Sequence, residues 1–172
     1  DALFRIRRHH WRYPDIMRLL RTELLMPANP DNTEGLEEKL AAVLRFREQV
    51  DVIENVLLAY GYEGNSWLSK DDWYFATFRD ENGHSNQSPE DRRMQDTSNE
   101  VRNYLRDLLL PFFQKMAKAK TGREAARNLY NFLIAAKVDK QMLFWRDEAL
   151  AQGDLIQARQ QEQIWKVFLN LL

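Results

Sequence analysis

Apolar residues recur at helical spacing along most of the chain, and the clearest pattern runs from Lys118 to Leu172. Thr121 followed by Glu124 is a capping box, T-x-x-E, in which each side chain satisfies a free amide at a helix start. Ala125, Leu129, Phe132, Leu133 and Ala136 then form one stripe. Asp139 is placed to cap a second helix, with Met142, Trp145, Ala149 and Leu150 as its stripe. Gly153 closes that helix, because glycine takes the left-handed conformation without steric cost. Asp154 with Gln157 opens a third helix that carries Ile164, Trp165, Phe168, Leu171 and Leu172. Connections this short predict antiparallel neighbours.

Upstream the pattern is less even. Residues 1–12 have no clean period. Pro14 suits the first turn of a helix running to about Met26, and Pro27 and Pro30 end it. A long helix is predicted from Leu36 to Tyr60, stopped by Gly61, with Leu40, Val43, Leu44, Val50, Ile53, Val56, Leu57 and Tyr60 on its apolar face. The polar run Arg45–Gln49 leaves open a division into two helices. Ser69–Phe78 is expected as a short helix capped by Ser69 and Asp72, and residues 79–96 as a mobile loop, in which Pro89 after Ser88 can start one helical turn. Thr97 with Glu100 is a second T-x-x-E box, opening a helix with Val101, Leu105, Leu108, Phe112 and Met116. Pro111 inside it removes a hydrogen bond and crowds the carbonyl of Asp107, so a kink or restart is expected there. No stretch alternates as a strand does. The expected class is all-α, an irregular multi-helix bundle with short connections, forming one helical domain over residues 1–172.

Composition narrows the function classes. At 44% hydrophobic and 12% aromatic, the chain is not of the disordered type. Its 172 residues are enough to bury about 70% of the unfolded surface. No apolar run approaches the roughly 18 residues of a membrane span, and the N-terminal DALFRIRRHHWRY lacks the apolar core of a secretory signal. The absence of cysteine excludes disulfides, thiolate metal sites and cysteine nucleophiles, and fits a cytoplasmic setting. With no initiator methionine and an uncapped final helix, the chain reads as a piece of a longer protein.

Charge is unevenly spread around a net −1. Residues 1–30 carry 6 basic and 3 acidic side chains, residues 31–97 carry 7 and 15, and residues 98–172 carry 12 and 8. The densest cationic cluster is Lys115, Lys118, Lys120, Arg123 and Arg127, which runs through a turn into a helix start whose free amides and dipole favour anions. It suits backbone phosphates; it equally suits a solvated turn whose lysines serve the preceding helix end. Arg5, Arg7, Arg8 and Arg12 interleave with Phe4, His9, His10 and Trp11, a pattern fit for single strands, although a lead-in segment docking its aromatics on a core explains it better. Trp145 and Trp165 fall on stripes and are expected in the core; Trp67 and Trp73 suit a stacking platform, although a core edge explains them better.

Catalytic signatures are missing. There is no G-x-x-x-x-G-K-[ST] and no nucleophile elbow. His9 and His10 are adjacent and diverge, so they make a poor ligand pair. Asp71–Asp72, Glu37–Glu38 and Asp147–Glu148 are likewise adjacent and point apart on a helix. No catalytic residue and no metal site is assigned.

The run KMAKAKTGREAARNLYNFLIAAKVDKQMLFWRDEALAQGDLIQARQQEQIWKVFLNLL resembles the middle of the B-type subunit of the ATP-dependent helicase/deoxyribonuclease of Gram-positive bacteria, called AddB or RexB. RYPDIMRLLRTELL (Arg12–Leu25), VDVIENVLLAYGYEGNSW (Val50–Trp67), and the T-G-R-E and F-W-R-D runs agree in order. The C-terminal wording is nearer the RexB type, and the likeness thins between Arg79 and Asp96. The resemblance implies a protein with a degenerate superfamily 1 motor and a C-terminal nuclease domain holding an iron–sulfur cluster. Such a protein works with the A-type subunit of its heterodimer, ATP and magnesium on double-strand DNA ends in recombinational repair. This segment would correspond to the helical accessory subdomain inserted in the second motor-like domain. The family's ATP loop, nuclease motif and cluster cysteines lie outside it, so the expectation is a non-catalytic scaffold with possible contact to the DNA backbone. The rival expectation is a protein–protein module on the partner subunit, with no DNA contact.

Overall fold

Ser88 sets where the longest helix begins. In the structure, a computed structural model that describes residues 1–27, 35–79 and 85–171, Ser88 Oγ accepts from the Asp91 amide at 3.0 Å. Asp91 in turn accepts from the Ser88 amide and hydroxyl at 2.9 Å each. Pro89, pre-set for a first turn, follows. From this box α5 runs unbroken over Pro89–Lys118. Thr97 and Glu100 therefore lie in mid-helix, and Thr97 opens nothing, because the better box begins nine residues earlier. Pro111 is inside α5, which does not restart there. Of the expected loop 79–96, Pro89–Asp96 is helix, while residues 80–84 lie outside the described residues.

The remaining elements, in chain order, are α1 (Ala2–Arg8), α2 (Tyr13–Leu20), α3 (Leu36–Tyr60), α4 (Asn65–Leu68), the strands β1 (Phe78–Arg79) and β2 (Ser85–Asn86), then α6 (Gly122–Ala135), α7 (Val138–Ala151) and α8 (Leu155–Leu171). The class is all-α; the β1–β2 antiparallel ladder is the only strand pairing among the described residues. No helix among them is long and apolar enough to cross a membrane. Cα packing divides the chain into two compact units, Asp1–Thr22 with Leu44–Asp107, and Glu23–Val43 with Leu108–Leu172.

α2 ends at Leu20, short of Met26. Thr22 Oγ1 donates back to the Leu19 carbonyl at 2.6 Å, and Glu23 then takes a left-handed φ of 56°. α3 is one helix up to Gly61, whose φ is +66°. The gap at Arg45–Gln49 is bridged by Phe46, which is buried where Leu44 is 56% exposed. Tyr60, also placed on the apolar face, is partly exposed. The 3.6-residue period favours the face of Val43, Phe46, Val50, Ile53 and Leu57. Of the lead-in aromatics Trp11 docks: it is buried and stacks on Trp67 at 5.7 Å, and Trp67 meets Trp73 edge-on at 5.1 Å, whereas Phe4 is 41% exposed.

The expected helix Ser69–Phe78 is absent; helix is confined to α4, and the following segment is irregular. Side chains of α5 hold it. Asn99 accepts from the Trp73 amide at 2.8 Å and donates to the Trp73 carbonyl at 3.0 Å. Arg102, fully buried, donates to the Ser69 carbonyl and to Asn99, and lies 5.1 Å over the Trp73 ring. Arg106 also donates to the Ser69 carbonyl, at 2.9 Å. A backbone bonded this way has no use for intrahelical partners.

In the second unit Leu109, Phe112, Phe113, Phe132 and Phe144 are buried, with Phe112 stacked on Phe132 at 4.2 Å. Lys137, left-handed at φ 58°, precedes α7; Asp139 lies within its first turn and does not cap it. Gly153, at φ +77°, ends α7 as expected: its amide bonds the Leu150 carbonyl and that of Asp154 bonds Ala149. This is the Schellman pattern. Asp154 Oδ1 then accepts from the Gln157 amide at 2.9 Å to start α8. Trp145 and Trp165 are only half-buried, although Trp165 stacks on Phe168 at 5.6 Å.

Candidate functional site

Five cations and one acid occupy the thirteen positions from Lys115 to Arg127. The structure places Lys115 and Lys118 in the last turn of α5, Lys120 in the connection, and Arg123 and Arg127 in the first turns of α6. All five side chains reach solvent. Arg123 and Arg127, four apart, share a face of α6.

The backbone beneath them is fixed by short polar bonds. Thr121 Oγ1 accepts from the Glu124 amide at 3.2 Å. Glu124 Oε2 accepts from the Lys120 amide at 2.7 Å, one residue earlier than a standard box would have it. Asn128 Nδ2 reaches back to the Lys115 carbonyl at 3.1 Å, tying α6 to the last turn of α5. The only carboxylate of the stretch is thus turned onto backbone. None of the five cationic side chains makes an ion pair among the described residues. The amides of Gly122 and Arg123 at the start of α6 have no intrahelical acceptor. Such an arrangement concentrates positive potential on one turn and suits a polyanion backbone.

Other candidates are engaged elsewhere. His9 Nδ1 lies 2.7 Å from Asp15 Oδ2, and His10 Nε2 lies 3.0 Å from Asn65 Oδ1. His84 falls outside the described residues. Asp147 pairs with Arg146 at 2.6 Å, and Asp72 accepts from Asn103 at 3.4 Å. No group of three or more His, Asp or Glu gathers for a metal among the described residues. Without cysteine, the chain offers no thiolate to an iron–sulfur cluster.

Two features escape sequence reasoning. The Ser88–Asp91 box is signalled by Ser-Pro-Glu-Asp, yet the polar composition of the segment points to a loop. Arg102 carries no signal at all, since a buried arginine and a solvated one look alike in a helical repeat.

No family model matches the chain. Among curated proteins it is similar over its whole length to the B-type subunit of the ATP-dependent helicase/deoxyribonuclease of Pediococcus pentosaceus, at 39% identity over 172 residues. The protein of the same name from Enterococcus faecalis is 41% identical over 174 residues, and that from Latilactobacillus sakei 38% over 172. In each case all of this chain is covered, and it spans 14% of the relative's length.

Proposed function

The chain belongs to the family of B-type subunits of the ATP-dependent helicase/deoxyribonuclease, and from that premise we propose that it is a non-catalytic helical segment of such a protein. The end-to-end similarity carries this reading. The parent protein, in this proposal, is a cytoplasmic enzyme component that works with an A-type partner on DNA ends in double-strand break repair. The segment corresponds to a helical accessory subdomain, and its own part is to hold its neighbours in place and to contact the DNA backbone.

The contact is assigned to Lys115, Lys118, Lys120, Arg123 and Arg127. Their exposure and lack of ion pairs among the described residues support it, since each is available to displace a condensed counterion. The contact so assigned is to the phosphate backbone, and backbone contacts carry no sequence information.

Fluorescence anisotropy with a labelled forked DNA, taken across a salt series, tests this. The native chain is compared with a variant carrying Lys118→Ala, Lys120→Ala, Arg123→Ala and Arg127→Ala. The native chain binds with a steep salt slope, and the variant's slope falls by about one for each lost phosphate contact. An unchanged slope, or no binding of the native chain at low salt, sinks the assignment.

A further inference from the structure

The corner between α1 and α2 carries two costs to the fold. His10 and Trp11 are consecutive and both left-handed, at φ 57° and 58°. Side chains disfavour that conformation, so it persists only where the surroundings enforce it. Here they do. The Trp11 amide donates to the Ile6 carbonyl at 2.8 Å, and the Trp11 carbonyl accepts from the Gly64 amide at 3.3 Å. His10 Nε2 lies 3.0 Å from Asn65 Oδ1. The second cost is Arg12, the N-cap residue of α2. Its side chain makes no capping bond, and it puts a cation at the positive end of a helix, where the dipole disfavours one.

Arginines stand on both sides of this corner. Arg8 is in the last turn of α1, Arg12 precedes α2 and Arg18 lies within α2; all three are exposed. None of them makes an ion pair among the described residues. The carboxylates that these two helices meet are already engaged. Asp1 lies 3.7 Å from Arg5, and Asp15 holds His9 at 2.7 Å. Glu54 accepts from the Tyr13 hydroxyl at 2.9 Å and from Arg21, and Glu63 accepts from the Tyr13 amide at 2.8 Å. Arg8 and Arg18 each complement a helix carbonyl end, but Arg12 has no such duty. A fixed corner ringed by unneutralised guanidinium groups suits phosphate oxygens, which match the guanidinium fork. Trp11 is buried in its stack on Trp67 and is not offered to bases, so the contact is with phosphates.

We propose that Arg8, Arg12 and Arg18 form a second contact for the phosphate backbone of DNA. It is carried by the first compact unit, whereas the Lys115–Arg127 turn bridges α5 and α6. The inference rests on the reading of the parent protein as one that acts on DNA ends.

The test is anisotropy with a labelled forked DNA across a salt series. The native chain is compared with a corner triple, Arg8→Gln with Arg12→Gln and Arg18→Gln. A control triple, Arg45→Gln with Arg92→Gln and Arg159→Gln, removes the same charge from exposed positions outside both clusters. The corner triple lowers the slope of log K against log salt by about two to three, and the control by less than about one. Lysine at the same three corner positions restores the slope, because an ammonium group also displaces a counterion. Equal slopes for the corner and control triples overturn the proposal, and so does a lysine triple that behaves like the glutamine one. If the corner triple melts more than about 2 °C below the native chain, Arg18→Gln alone decides, since it lies outside the corner. A slope lower by about one supports the contact, and an unchanged slope overturns it. The corner triple is also made in the chain that carries alanine at Lys118, Lys120, Arg123 and Arg127. A further drop in slope there assigns the corner by itself. If the four alanines leave the slope unchanged while the corner triple lowers it, the turn loses its assignment and the corner keeps it; the reverse result removes the corner alone.

Discussion

Asn99 is the side chain on which the irregular segment after α4 depends. It is 6% exposed and serves both polar groups of Trp73, 26 residues away, as a neighbouring strand would. Its Oδ1 also accepts from Arg102 at 3.0 Å. Asn99→Ala removes two neutral bonds worth about 1 kcal/mol each. It also leaves the Trp73 amide and carbonyl with no replacement and takes an acceptor from a buried guanidinium. Each stranded group costs about 1–3 kcal/mol, so the total loss is about 3 kcal/mol or more. Asn103 on the same helix is the comparison: its bond to Asp72 is 3.4 Å long and exposed. Asn103→Ala is expected to cost about 0.5 kcal/mol or less. Urea unfolding followed by tryptophan fluorescence reads the difference, because Trp11, Trp67 and Trp73 form one cluster. With a slope of about 2 kcal/mol per molar urea, Asn99→Ala moves the midpoint down by about 1.5 M. Amide exchange at Trp73 rises by about two orders of magnitude in the same variant. If the two alanine variants unfold within about 0.3 M of one another, Asn99 does not hold the segment and its assigned role is refuted.

Three further outcomes follow from the geometry. The Asp91 carboxyl is held down to about 2, first by the Thr77 hydroxyl and then by the Ser88 amide, against 3.8 for an ordinary aspartate. A depressed value stabilises the fold above 3.8, and the gain is lost as pH falls toward 2. Acid titration of the circular dichroism signal should therefore show native protein losing stability through that window, and Asp91→Asn should flatten the response there. Ser88→Ala removes the partner half of the box and lowers the melting temperature by an amount matching about 1 kcal/mol. Gly64 sits at φ +59°, and a Cβ there would meet His10 Cδ2 at 3.1 Å. Gly64→Ala should thus cost about 1–3 kcal/mol in urea, and a neutral result would count against the His10–Gly64 approach.

What the sequence can disclose follows the range of the interactions involved. Thr121 with Glu124, Gly153, and Asp154 with Gln157 act within a few residues, and each is found where the pattern predicts it. Ser69–Phe78 departs from its pattern because its backbone is bonded by Asn99, Arg102 and Arg106, which lie 26, 33 and 37 residues from their partners and leave no local trace. Thr97 fails as a helix start for a different reason: two boxes compete for one helix, and the one followed by proline is already supplied with a first turn. The cationic turn is legible as density, but its availability is not. That depends on Glu124 being engaged by the Lys120 amide. The expected cores around Trp165 and Ile164 show the same limit from the other side. Periodicity identifies faces that want a neighbour, and only the packed structure shows that α8 lies against α7 with Trp165 half-buried while Ile164 stays 57% exposed.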